Sequence, residues 1–198
     1  MNLALRIATI LLLTNPLVVF LNGLLGHWFA PLGLAPYLGG LTLVYACMHL
    51  PLGAAMAIAA LTGLAWDAIH LQPFGLSYVT FVLAIALTAL LGRRVRPEAP
   101  LHVWILALVQ NAFAFLATAL ALTRLEPALS GGAYWLSVAA NLLLSTALVG
   151  ALALWFVALQ RALISFIPKP GGLGRETSME DALTRADRRP TPPPETPR

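Results

Sequence analysis

Long apolar runs, separated by short polar or proline-containing breaks, make up most of the first 167 residues. Six can be drawn: Leu3 to Leu25, Leu32 to Leu50, Leu52 to His70, Phe74 to Leu91, Leu101 to Leu122, and Tyr134 to about Phe156. Most reach the roughly 20 residues that an α-helix needs to cross about 30 Å of hydrocarbon. The second is the weak one. Counted from Pro36, a good first-turn residue, it covers only about 22 Å, which suits a helix of small tilt, a thinned bilayer or a re-entrant leg. Arg6 ahead of an apolar run has the look of a signal peptide, but no small-residue cleavage site follows and the run continues past Asn15 and Pro16. The pattern therefore predicts an all-α integral membrane protein, a bundle of six transmembrane helices over residues 1–167.

Composition agrees, with 59% hydrophobic residues, 10% charged residues and a mean hydropathy of +0.82. Charge is segregated as well. Residues 1–167 hold six arginines (Arg6, Arg93, Arg94, Arg96, Arg124, Arg161) and three acids (Asp67, Glu98, Glu126). Six spans with both ends cytoplasmic put Arg6, Arg93, Arg94, Arg96, Arg161, Lys169 and Arg175 inside and leave Arg124 outside, which is the positive-inside partition. Five spans with a cytoplasmic C-terminus would move Arg6 out. The pI near 9.8 thus reflects basic loops. It does not mark a nucleic-acid surface, because no basic stripe with interleaved aromatics is present. The lone Cys47 lies in an apolar run and reads as a packed thiol with no internal disulfide.

The tail, 168–198, has another character. Pro168-Lys-Pro-Gly-Gly breaks the last helix, and Arg188 to Arg198 is too poor in apolar residues to fold, so a disordered Pro-rich cytoplasmic tail is expected. Within it Ser178 and Asp181 have capping-box spacing ahead of a short amphipathic stretch, and Pro190 to Pro193 fits a PxxP pattern.

Asp67 is the most informative residue, being the one acid before Glu98 and lying in a membrane-length apolar stretch. An Asp at mid-membrane costs roughly 2.5 to 3.5 kcal/mol on insertion scales. Ala55, Ala59, Gly63 and Asp67 recur every four residues, so one stripe of the third helix is small and ends in the carboxylate. Such a stripe allows close helix approach, either within this chain or to a partner helix. A carboxylate near a helix C-terminus opposes the macrodipole, so Asp67 should seek a cation or donors. Arg124 is the candidate cation, with His70 on the same face as a donor and Glu126 as a competitor; hydration at headgroup level is the alternative. A metal site on Asp67 and His70 lacks further ligands.

Other polar residues share helical spacing: Asn15 with Asn22, Asn111 with Thr118, and Ser137 with Asn141 and Ser145. These faces should turn inward, fixing helix orientation or lining a cavity. No HExxH, GxSxG, P-loop or paired intramembrane carboxylate occurs, so neither an enzyme nor a cofactor site is expected.

Pro36, Tyr45, Pro51, Gly63, Asp67 and Gly75, in that order and spacing, resemble the MreD family of bacterial rod shape-determining membrane proteins, with Asn141 and the Arg93 to Arg96 loop as weaker matches. The resemblance runs from about residue 5 to 165. It implies a six-helix, non-enzymatic scaffold of the inner membrane, acting beside MreC and with MreB filaments, the RodA glycosyltransferase and a class B penicillin-binding protein in the elongation complex that directs lateral peptidoglycan synthesis. It also implies a fold similar to the substrate-binding S components of energy-coupling-factor vitamin transporters. That transporter class is the alternative function, though the thin polar inventory of the outer loops favours the scaffold.

Overall fold

A computed structural model describes residues 3–70, 72–91, 100–127 and 131–166. The described residues form six α-helices and one short 3-10 turn: α1 (Leu3–Phe29), the turn Ala30–Leu32, α2 (Gly39–His49), α3 (Leu52–His70), α4 (Leu76–Leu91), α5 (Pro100–Leu125) and α6 (Gly132–Phe166). Four of them, α1, α3, α5 and α6, are long and apolar enough to cross a membrane. The Arg93 to Arg96 loop and the Pro-rich tail lie outside the described residues.

Helix bounds differ from the sequence expectation, most of all in α2 and α6. The second apolar run becomes a non-helical stretch, Leu34 to Leu38, followed by an α2 of 11 residues, which rises only about 16 Å. Pro36 therefore opens no helix. It sits in the non-helical lead-in, where its missing N–H is no loss. α4 has 16 residues, about 24 Å, again less than a full crossing. By contrast α6 runs for 35 residues, about 52 Å, ten residues past the expected end at Phe156.

Each turn has a local cause. Leu50, with φ −108° and ψ 149°, is extended because Pro51 disfavours helical geometry in the residue before it, and α2 stops there. Gly75 has φ +93°, a left-handed conformation that side chains rarely adopt, and it sets the direction in which α4 departs. Gly33 does the same after the 3-10 turn, at φ +68°.

The buried positions of α1, Ile7, Leu11, Asn15, Val18 and Asn22, recur every three to four residues, so one face packs and the other meets lipid. The core is centred on α2, whose residues Gly39 to Ala46 are all buried. Trp66 from α3, Phe81 from α4 and Phe115 from α5 gather around Tyr37, with ring centroids 4.9, 6.5 and 5.6 Å from it. Leu13, Phe20, Leu90, Leu136 and Leu143 are exposed. In a bilayer such faces meet acyl chains.

Candidate functional site

The site is assembled around a stretch of buried backbone that is not helical. Pro36, Tyr37 and Leu38 are buried, and their neighbours' amides cannot be satisfied by an intrahelical ladder. In hydrocarbon an unsatisfied amide costs several kcal/mol, so irregular backbone persists at membrane depth only where protein side chains or water receive it. Here the receivers are side chains. Ala35 N–H donates to Asn141 Oδ1 at 2.8 Å, Tyr37 N–H to Ser145 Oγ at 2.9 Å, Leu38 N–H to Asn22 Oδ1 at 2.9 Å, and Gly40 N–H to Asn111 Oδ1 at 3.0 Å. The acceptors come from α6, α1 and α5. The approach of α2 to α5 is close enough that a Cβ on Gly40 would lie 2.6 Å from the Ala107 carbonyl oxygen.

Asn22 extends this arrangement into a chain of fixed polarity. Its oxygen is taken by the Leu38 amide, so its Nδ2 faces His70 Nε2, 2.8 Å away, and must donate. The other ring nitrogen, His70 Nδ1, lies 3.1 Å from the Trp66 carbonyl oxygen and so carries the proton. The His70 ring also stacks on Trp66, with centroids 4.7 Å apart and planes 14° from parallel. One residue of α1 thereby joins the non-helical segment to the end of α3.

Asp67 is 2% exposed, and its two carboxylate oxygens are both engaged by backbone. Gly75 N–H donates to Oδ2 at 2.8 Å and Ser77 N–H to Oδ1 at 2.9 Å. These are orphan amides of the first turn of α4, so Asp67 serves as an N-cap supplied by the preceding helix. The macrodipole objection applies to α3 alone. The carboxylate lies at the positive end of α4, where a negative charge is stabilised. Arg124, the expected ionic partner, is exposed, and the structure brings Asp67 to Gly75 and Ser77 instead. The physical reason is proximity in the chain, because the α3–α4 turn delivers two donors eight and ten residues on without moving a side chain across the bundle. His70, expected as a donor to Asp67, is engaged by Asn22 and Trp66.

The small stripe is fully internal. Ala55 and Ala59 are buried, and a Cβ on Gly63 would come within 2.6 Å of the Ser77 carbonyl oxygen and the Tyr78 nitrogen. Gly63 and Asp67 meet the start of α4, and Ala55 and Ala59 are buried along the same stripe. The stripe is not open to an external helix. Tyr45 is buried with its ring against His49, centroids 4.3 Å apart, and Pro51 begins α3 at the surface.

Other membrane-embedded polar residues act as ties between helices. Asn15 Nδ2 donates to the Thr42 carbonyl and to Thr62 Oγ1, joining α1, α2 and α3. Gln110 Nε2 donates to Thr88 Oγ1, joining α5 to α4. Arg6 donates to the Ile164 carbonyl at 2.9 Å and Gln160 Nε2 to Thr14 Oγ1, tying the first helix to the last. Among the described residues there is no cluster of three or more His, Cys, Asp or Glu side chains placed to hold a metal ion. The sequence signal that marks the site is the run Gly33 to Gly40, with glycine at both ends and proline inside; its amides demand acceptors that the Asn and Ser positions supply.

A family model described as rod shape-determining protein MreD matches residues 4–163. The chain belongs to the MreD family. That match covers all six helices apart from the first residue of α1 and the last turn of α6. It makes this a multi-pass membrane protein with a part in determining rod shape, from a family not known for enzymes. No curated protein and no solved structure matches the chain, so the similarity to transporter S components has no support.

Proposed function

We propose that this chain is a non-enzymatic scaffold of the inner membrane that acts with an MreC-like partner in the elongation complex, alongside MreB, RodA and a class B penicillin-binding protein. The family match across the whole bundle carries the reading. It is supported by how the interior polar groups are used, since Asn22, Asn111, Asn141, Ser145 and Asp67 all hold the protein's own backbone in one arrangement. A bundle so fixed is a platform for other proteins. Because the α3 stripe is consumed internally, a partner would contact the outer faces.

The arginine partition orients this platform with both termini in the cytoplasm. Co-purification from cells at normal protein levels, followed by a crosslink map, tests the reading. Recovery of MreC with crosslinks to outward residues of α1 or α6 is the expected result. Failure to recover it, together with normal rod shape in cells lacking this chain, would overturn the proposal.

A further inference from the structure

His70 is the last residue of α3 and half-buried, so a proton can reach its ring at the α3–α4 turn, while Asn22 and Trp66 beside it are buried. The contacts of the ring fix its protonation state. The Leu38 N–H can only donate, so the Asn22 atom 2.9 Å from it is the oxygen, and the Asn22 atom 2.8 Å from His70 Nε2 is the nitrogen. Nε2 must then accept. Nδ1 keeps the one proton, directed at the Trp66 carbonyl at 3.1 Å. A second proton on this ring would set an N–H against the Asn22 N–H2 across 2.8 Å. Asn22 cannot turn its amide over in response, because that would present the N–H2 to the Leu38 N–H.

Three elements pack on α3, namely α4, α1 and α2. α1 faces the ring with Asn22, the lead-in to α2 sets Tyr37 on Trp66, and the first amides of α4 are held by Asp67. Asp67, one turn back from His70, is the charged group on these elements that acts on the ring. Its negative charge and the face of Trp66, stacked 4.7 Å from the ring, both suit a cation. Partial burial and the Asn22 amide oppose one. Opposing forces of this kind poise a group between two states, and histidine is the side chain that ordinarily changes charge between about pH 5 and 8.

We propose that His70 is a proton-operated latch on the non-helical segment. Neutral, it holds Asn22 and through it the Leu38 amide. Charged, it leaves the Asn22 Nδ2 as a buried donor with no acceptor, which turns the side chain away and frees the lead-in to α2. The latch is therefore closed at the higher pH and opens as pH falls. In the orientation proposed above it faces the periplasm, but its contacts depend neither on that orientation nor on any partner.

Hydrogen exchange of the full chain in detergent micelles, at about pH 7.5 and about pH 5, tests the latch. The rate at the Leu38 amide is divided by the rate at Ala55, whose N–H bonds to the Pro51 carbonyl at the far end of α3, so that the intrinsic effect of pH cancels. That ratio should rise about tenfold in acid, the effect of losing one buried hydrogen bond. His70→Gln offers Asn22 a neutral acceptor at every pH and should abolish the response, although His27, His49 and His102 still titrate. The nitrogen NMR signal of the His70 ring, identified by its loss in His70→Gln, should titrate at the pH where the ratio changes. The comparison within the wild type needs no variant to fold. A wild-type ratio that ignores pH, the same response in a folded His70→Gln protein, or a His70 ring that titrates while the ratio stays constant would overturn the proposal.

Discussion

Asp67 caps the helix that follows its own: its Oδ1 accepts the Ser77 amide at 2.9 Å while Oδ2 accepts that of Gly75. Two charge-assisted bonds at a helix start are worth roughly 1.5 to 3 kcal/mol each when one partner is ionised. Asp67→Asn keeps one acceptor and turns an N–H2 toward the other amide, so it should cost about 2 kcal/mol, and Asp67→Ala more. Thermal unfolding in detergent gives the loss, and faster hydrogen exchange at Gly75 and Ser77 would localise it. If Arg124→Gln destabilised the protein as much as Asp67→Asn, the capping account would fail.

Gly63→Ala should be destabilising by about 1 to 3 kcal/mol, because the new methyl meets α4 backbone at 2.6 Å and backbone cannot rotate away. Gly53→Ala, on the same helix with open space around it, should be neutral or stabilising by up to about 1 kcal/mol. Paired melting curves check this. Equal behaviour of the two variants would contradict the close α3–α4 contact.

Asn22→Leu removes an acceptor from the buried Leu38 amide and a donor from His70, so a loss of about 2 to 4 kcal/mol is expected. Asn141→Ala should cost less, about 1 kcal/mol, since Ala35 is exposed and water can replace the lost acceptor. The order of the two melting temperatures is the measurement. A reversed order would show that the Leu38 amide has another receiver.

The orientation proposed for the bundle predicts that single cysteines at position 2 and position 165, in a Cys47→Ala background, are labelled only from the cytoplasmic side. A cysteine at position 124 should react from the periplasmic side. Periplasmic access to position 2 would refute it.

Much of this was legible in the chain, for definite reasons. Apolar runs located all six helices, and for α1, α3, α5 and α6 the run has the length that hydrocarbon thickness requires of a spanning helix. The Ala55, Ala59 and Gly63 stripe announced close approach, and Gly63 indeed meets Ser77. What the chain hid was the receiver of each polar group. Asp67 looked for a cation because opposite charge is readable in a sequence, whereas backbone amides, present at nearly every residue, leave no mark. Asn22, Asn111 and Ser145 were legible as inward-facing, but their common purpose depended on α2 beginning three residues after Pro36, and element boundaries follow tertiary packing that no local pattern encodes.

The lead-in to α2 also sets a timetable for synthesis. The amides of Ala35, Tyr37 and Gly40 emerge early, but their acceptors arrive with Asn111 and then with Asn141 and Ser145. Until the final helix enters the bilayer, the amides of Ala35 and Tyr37 lack the acceptors that Asn141 and Ser145 supply. A nascent chain halted after α5 would be held in an open form that quality-control proteases can recognise. Arrested chains ending at residue 127 should therefore be cleared from the membrane faster than the finished protein, and pulse-chase decay compares the two directly. The last helix acts in this sense as a completion signal, locking an early segment whose shape it alone can finish.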